Sequence, residues 1–168
     1  MEIPLIDNNG IAQTDIGGNS MEHTLSVNKD DVYNEVAKTT SYTGAKMDDE
    51  TAYDRIFTTD EDKTMLERFW NESKNTICDS MKKFLTDEKE TDGTYTITLN
   101  LSASFDESLL GSMERSLFSF FVMNITAKWY TLANKTETTD YASAAATNME
   151  DIMRKAFFKK KPKRPTYN

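Results

Sequence analysis

Few residues in this chain have the types and spacing that chemistry requires. His23 is the sole histidine, and no cysteine or carboxylate accompanies it at metal-ligand spacing, so a histidine-based metal centre is excluded. Cys78, the sole cysteine, sits one residue off the apolar face of a helix. It has no basic neighbour to lower its pKa and reads as a buried structural thiol rather than a nucleophile. The acidic groups 48–50 and 60–62 offer the oxygen ligands that calcium or magnesium takes. They lack loop glycines and calcium-loop spacing, and charge at a helix start accounts for them better. Gly17-Gly18 neither follows a strand nor precedes a lysine-bearing helix, so it is no phosphate loop. No catalytic residue, metal or cofactor is therefore expected, and the chain is read as non-enzymatic.

What remains is chemistry of association. Arg154 to Arg164 holds seven of the 20 basic residues and no acid, leaving 13 basic against 28 acidic residues, or −15, in residues 1–153. An acidic body with a basic tail calls for two electrostatically different partners, one of them possible as a polyanion. Lys159, Lys160, Lys161, Lys163 and Arg164, interrupted by Pro162, could make phosphate contacts or meet an acidic protein, or simply be solvated. The second feature is a strand: Tyr95, Ile97, Leu99, Leu101, Ala103 and Phe105 alternate with Thr96, Thr98, Asn100, Ser102 and Ser104. Its backbone groups need a partner. Three sources are open: the N-terminal segment around Ile3 to Ile6, a bend within Thr94 to Phe105, or strand addition from a neighbouring chain.

The elements that must position these features follow from periodicity. Residues 1–27, with Gly10, Gly17 and Gly18, show no period and read as an extended arm that Ile3, Leu5 and Ile6 could anchor. Asn28 can cap a short helix carrying Val32, Tyr33, Val36 and Ala37, ending near Ser41 to Gly44. A further turn or two is expected around Thr51 to Phe57. Thr59, followed by Asp60, Glu61 and Asp62, starts an amphipathic helix with Leu66, Phe69, Trp70, Ser73, Ile77, Met81, Phe84 and Leu85 on one face. Asp87 to Gly93 reads as a polar turn before the strand. Asp106 or Ser108 opens a long central helix with Leu109, Leu110, Met113, Leu117, Phe120, Phe121, Ile125, Trp129 and Leu132 directed inward. Its aromatics surround so much of it that it is either central or meets another subunit. A last helix from Thr138 to Asp140 turns Tyr141, Ala144, Ala145, Met149, Ile152, Met153, Ala156 and Phe157 inward. Cations at its end and the following prolines stop it.

These elements predict a mainly α fold: a bundle of four to five helices with one β segment or small hairpin, about 94–105, inserted before the long central helix. The organisation is an arm at 1–27, a helical domain at 28–158 and a basic tail at 159–168. A length of 168 residues suits one core without disulfide or metal staples, and the eighteen aromatics and nine methionines cluster as a core requires. The longest apolar run, Leu117 to Ala127, is about half the roughly 20 residues of a membrane span, and no secretory signal is present, so cytoplasmic synthesis is expected.

The segment Tyr33-Asn34-Glu35-Val36-Ala37-Lys38-Thr39-Thr40 with Tyr42-Thr43-Gly44-Ala45-Lys46 resembles uncharacterised proteins encoded among the structural genes of tailed phages and prophages of gut bacteria. The likeness continues through Leu66-Glu67-Arg68-Phe69-Trp70 and Ser116-Leu117-Phe118-Ser119-Phe120-Phe121 to the basic terminus, over roughly residues 28–164. The order of helices and insert is similar to head-to-tail connector, or neck adaptor, proteins. That resemblance implies a virion protein assembled in the host cytoplasm. It would form a homo-oligomeric ring, about twelve-fold where a portal templates it, which docks on the portal, extends the DNA channel and receives the next neck or tail component. Under it, Tyr95, Ile97, Leu99 and Leu101, with Ile3 and Leu5, would serve subunit or insert packing. Lys159, Lys160, Lys161, Lys163 and Arg164 would contact portal or DNA. The alternative is a small DNA-binding regulator using the basic tail, against which the acidic body counts.

Overall fold

The computed structural model describes residues 20–45, 60–133 and 136–165. In chain order these form β1 (Ser20–Asn28), α1 (Lys29–Ala45), α2 (Asp60–Met81), β2 (Leu85–Thr91), β3 (Thr94–Ser102), a 3₁₀ turn (Glu107–Leu109), α3 (Leu110–Leu132) and α4 (Thr138–Lys155). The fold is mainly helical, with four helices and an antiparallel three-stranded sheet of order β1-β3-β2 among the described residues. The turns expected at Thr51 to Phe57, and Ile3 and Leu5, lie outside the described residues. None of the described helices is long and apolar enough to cross a membrane.

Local signals explain several boundaries. Asn28 caps α1, its Oδ1 accepting the Asp31 amide at 3.0 Å, which satisfies one of the donors a helix start leaves open. Asp106 caps the 3₁₀ turn through the Ser108 amide at 3.2 Å and hydroxyl at 2.7 Å, and α3 follows from Leu110.

The sheet is larger than the single segment or hairpin expected. β3 finds both its partners within the chain: β1 from Ser20↔Ser102 to Asn28↔Thr94, and β2 from Leu85↔Leu99 to Thr91↔Thr94. Residues 20–28 are therefore not part of a free arm, and His23 lies in a strand, its ring 5.3 Å from that of Phe105. The polar stretch before β3 is mostly strand as well. Only Asp92 and Gly93 turn, at φ 49° and 72°, the left-handed pair of a two-residue hairpin whose twist matches its strands. A Cβ on Gly93 would meet nothing within 4 Å, so Gly93→Ala tests backbone strain alone. It should cost about 1 kcal/mol, read as a lower urea midpoint with unchanged slope.

Across β1 and β3 one face of the sheet is largely apolar and covered by the helices, with Met21 at its end 48% exposed. Leu25 and Val27 from β1 join Tyr95, Ile97, Leu99 and Leu101 from β3, all buried with Met113, Leu117, Phe121 and Ile125 of α3 in one core. The opposite face carries Thr24, Ser26, Thr96, Thr98 and Asn100, so the period-two pattern sorts the sheet into a dry and a wet side. Of the two roles expected for Tyr95, Ile97, Leu99 and Leu101, this leaves insert packing and corrects the subunit interface. No more than 1% exposed, they face their own helices and leave nothing for another subunit.

Helix α3 is central. Phe120, Phe121 and Tyr130 are buried while Phe118 and Trp129 are half-covered. Trp70 of α2 stacks on Phe121 at 4.3 Å and meets Tyr33 of α1 and Tyr95 of β3 edge-on at 6.1 and 6.2 Å. This aromatic hub joins α1, α2, α3 and the sheet. Leu132, expected inward, is 60% exposed at the helix end.

Candidate basic and aromatic interaction surface

The basic tail leaves the body from a built corner. α4 stops at Lys155, and the chain turns through Phe157 and Phe158, whose amides bond to the Arg154 and Lys155 carbonyls at 3.2 and 3.0 Å. The next residues run beside the connection between β3 and the 3₁₀ turn. The Asp106 amide donates to the Phe158 carbonyl at 3.1 Å, the Lys160 amide donates to the Ser104 carbonyl at 2.8 Å, and Phe105 forms an antiparallel bridge with Lys159. Lys160 also reaches Glu107, 3.5 Å away. Lys161, Lys163 and Arg164 then continue exposed.

The end of α2 arrives at the same place. Its chain runs on through Lys82 and Lys83, both exposed, to Phe84. The Phe84 ring meets Phe157 edge-on at 5.0 Å, and the Lys83 ammonium stands 5.0 Å from the centre of the Phe157 ring and 5.9 Å from that of Phe84. Phe157 is 56% exposed and Phe158 46%. Helical spacing had assigned Phe157 to the inward face. The helix ends two residues earlier, and the ring is left outside. No family model, curated protein or solved structure matches this chain.

Of the residues expected to act in recognition, the structure thus joins Lys159 and Lys160 to the body and leaves Lys161, Lys163 and Arg164 exposed beyond them. It adds Lys82, Lys83, Phe84, Phe157 and Phe158, which pattern reading placed in helices or passed over. The signal that could have found the last two is the direct succession of two aromatics and three lysines at 157–161.

A second polar cluster lies at the β2 edge and closes on itself. The register puts Glu88 opposite Ile97 and Glu90 opposite Tyr95, so both carboxylates point toward the helices. Glu90 accepts from Trp70 Nε1 at 3.1 Å, Lys74 at 2.7 Å and Lys29 at 3.1 Å. Lys29 also reaches Glu67 at 2.7 Å, and Tyr33 donates to the other Glu67 oxygen at 3.0 Å. Glu88 accepts from the Tyr95 hydroxyl at 2.6 Å and the Cys78 thiol at 3.0 Å. Burial first, then the bond to Glu88, pushes the Cys78 thiol up and keeps it protonated. Inward charge on an edge strand also discourages pairing with foreign strands. At the other edge, Glu114 covers the Ser26 amide at 3.0 Å.

This cluster sets a pH dependence. Burial alone would raise the Glu90 carboxyl, but the bonds from Lys74, Trp70 and Lys29 outweigh it and bring it from 4.5 to about 2. Asp151 behaves alike: burial opposes, and Lys155, Ser116 and Arg154 bring it from 3.8 to about 2. A depressed carboxylate adds stability that is complete above its unfolded value and disappears as pH falls through the folded one. Stability should therefore be level near neutrality and fall between about pH 4.5 and 2, with Glu90→Gln reducing the steepness of that fall. Thermal unfolding followed across that range checks both.

Proposed function

We propose that this protein is a structural component of a virion, a head-to-tail connector adaptor that forms a ring under a portal and extends the DNA channel. The observation that carries the reading is the disposition of charge on the fold. Residues 1–153 sum to −15, and the fold holds the root of the basic segment that follows by backbone hydrogen bonds at Phe158 and Lys160 and then sends Lys161, Lys163 and Arg164 outward. Such a segment suits capture by an acidic surface on another protein, while an acidic body suits a channel wall along which DNA slides without sticking. The sequence resemblance to proteins encoded among phage structural genes and the β insert before the long helix point the same way. Tyr95, Ile97, Leu99 and Leu101 serve packing of the insert on its own helices, so subunit joining falls to the surface and the tail.

The test is reconstitution with purified portal rings, imaged by electron microscopy. The reading expects added density in register with the portal subunits at the tail-side face. A duplex-binding regulator instead requires tight, salt-sensitive binding of double-stranded DNA by the isolated chain, with portal rings left bare.

A further inference from the structure

The corner from which the tail departs has a composition that cation clusters alone do not explain. It holds two exposed phenylalanines, a third ring against one of them, and a lysine over both Phe84 and Phe157. We infer that Lys82, Lys83, Phe157, Phe158 and the cations of the tail form a binding site for single-stranded nucleic acid, the rings stacking with bases and the cations tracking the phosphates. This proposal stands apart from the connector reading, which uses the tail cations and has no need of the rings.

Three physical arguments select that ligand. First, a run of acidic side chains complements the lysines but has no flat apolar surface to lay on the exposed rings, and duplex DNA keeps its bases stacked and unavailable to them. A single strand uses both, since every base has a face to offer an aromatic ring and a phosphate to offer a cation. Second, the site is preorganised. Phe157, Phe158 and Lys160 are held by backbone bonds to Arg154, Lys155, Ser104 and Asp106, so less ordering entropy opposes binding than in a free tail. Pro162 and Pro165 then favour an extended backbone that spreads Lys161, Lys163 and Arg164 along a track. Third, a flat anionic membrane would have to approach Glu107, which is half exposed beside Lys160, and the rest of an acidic body. A strand a few ångströms wide approaches the corner alone, with the more distant acids screened beyond about 10 Å.

Fluorescence anisotropy on the full chain decides it, with a labelled oligo-dT single strand, the matching duplex, labelled polyglutamate and vesicles of mixed neutral and anionic lipid as probes. The expected result is single-strand binding whose logarithmic salt slope lies between about −3.5, for the five tail cations alone, and about −5, with Lys82 and Lys83 engaged as well. Phe157→Ala with Phe158→Ala should weaken it about tenfold or more at unchanged slope. Lys159, Lys160, Lys161, Lys163 and Arg164 all changed to Ala should flatten the slope. Phe158→Ala alone guards against disturbance of the Phe84 and Phe157 pair, and Phe158→Trp should bind at least as tightly as the parent. The proposal is overturned if no single-strand binding is seen at about 50 mM salt. Preference for duplex, polyglutamate or vesicles overturns it as well, and so does single-strand affinity that ignores both ring changes. Failure here leaves portal docking untouched, because the rings take no part in it.

Discussion

Trp70→Ala should destabilise the fold by about 3–5 kcal/mol, the range for deleting a large aromatic from a closed core. Trp70 is fully buried. Its ring stacks on Phe121 and meets Tyr33 and Tyr95 edge-on, so one deletion loosens α1, α2, α3 and the sheet together. It also removes the indole donor to Glu90, leaving that inward carboxylate with two lysines instead of three partners. With about 2–4 °C of melting temperature per kcal/mol at this chain length, the loss should exceed about 6 °C. Trp70→Phe keeps most of the packing and loses the donor, and should cost about 1–2 kcal/mol. Urea denaturation followed by circular dichroism measures both. A loss below about 1 kcal/mol for Trp70→Ala would mean that the four elements do not meet at this ring.

Removal of β1 should have a still larger effect. A chain beginning at Lys29 loses Leu25 and Val27 from the core, each worth about 2 kcal/mol or more in a site that cannot collapse, and unpairs one side of β3 along nine residues. The sum is comparable with the whole stability of a domain, about 5–15 kcal/mol. The truncated chain should therefore be unfolded or aggregated, with a freed edge of β3 rich in Tyr, Ile, Leu and Thr. Soluble expression with a cooperative melt at the parent temperature would contradict the assignment of Ser20–Asn28 to the sheet.

That same strand marks the limit of what the sequence makes legible. β3 announces itself because it is central and half buried, so its apolar residues alternate without a break. β1 buries only Leu25 and Val27, too few to establish a period, and it becomes a strand by pairing with residues some seventy positions away. β2, Leu-Thr-Asp-Glu-Lys-Glu-Thr, has no apolar alternation at all. Its helix-side residues are Glu88 and Glu90, held at the sheet edge by bonds from Trp70, Lys74, Lys29, Tyr95 and Cys78. Asp92-Gly93 was the readable sign of a hairpin there. The helices were more transparent: the Asn28 cap, the charged start of α2 and the central place of α3 all lie in local spacing.

The candidate surface was legible in part. The cations at 159–164 are plain in the chain, but the approach of Lys82 to Phe84 from the end of α2 is a tertiary fact. Phe157 looks like a core residue until the helix is seen to stop at Lys155. Periodicity assigns a side chain to a face only while the helix lasts.

In the proposed connector, an acidic body carries a basic tail that another macromolecule completes in the assembled particle. Sedimentation of portal rings mixed with the parent chain and with the variant in which Lys159, Lys160, Lys161, Lys163 and Arg164 are all Ala tests it most directly. The parent should co-sediment in a salt-sensitive manner, while the variant, equally helical and equally stable, stays behind. Co-sedimentation of the variant to the same extent, or failure of the parent to join the rings at low salt, would contradict it.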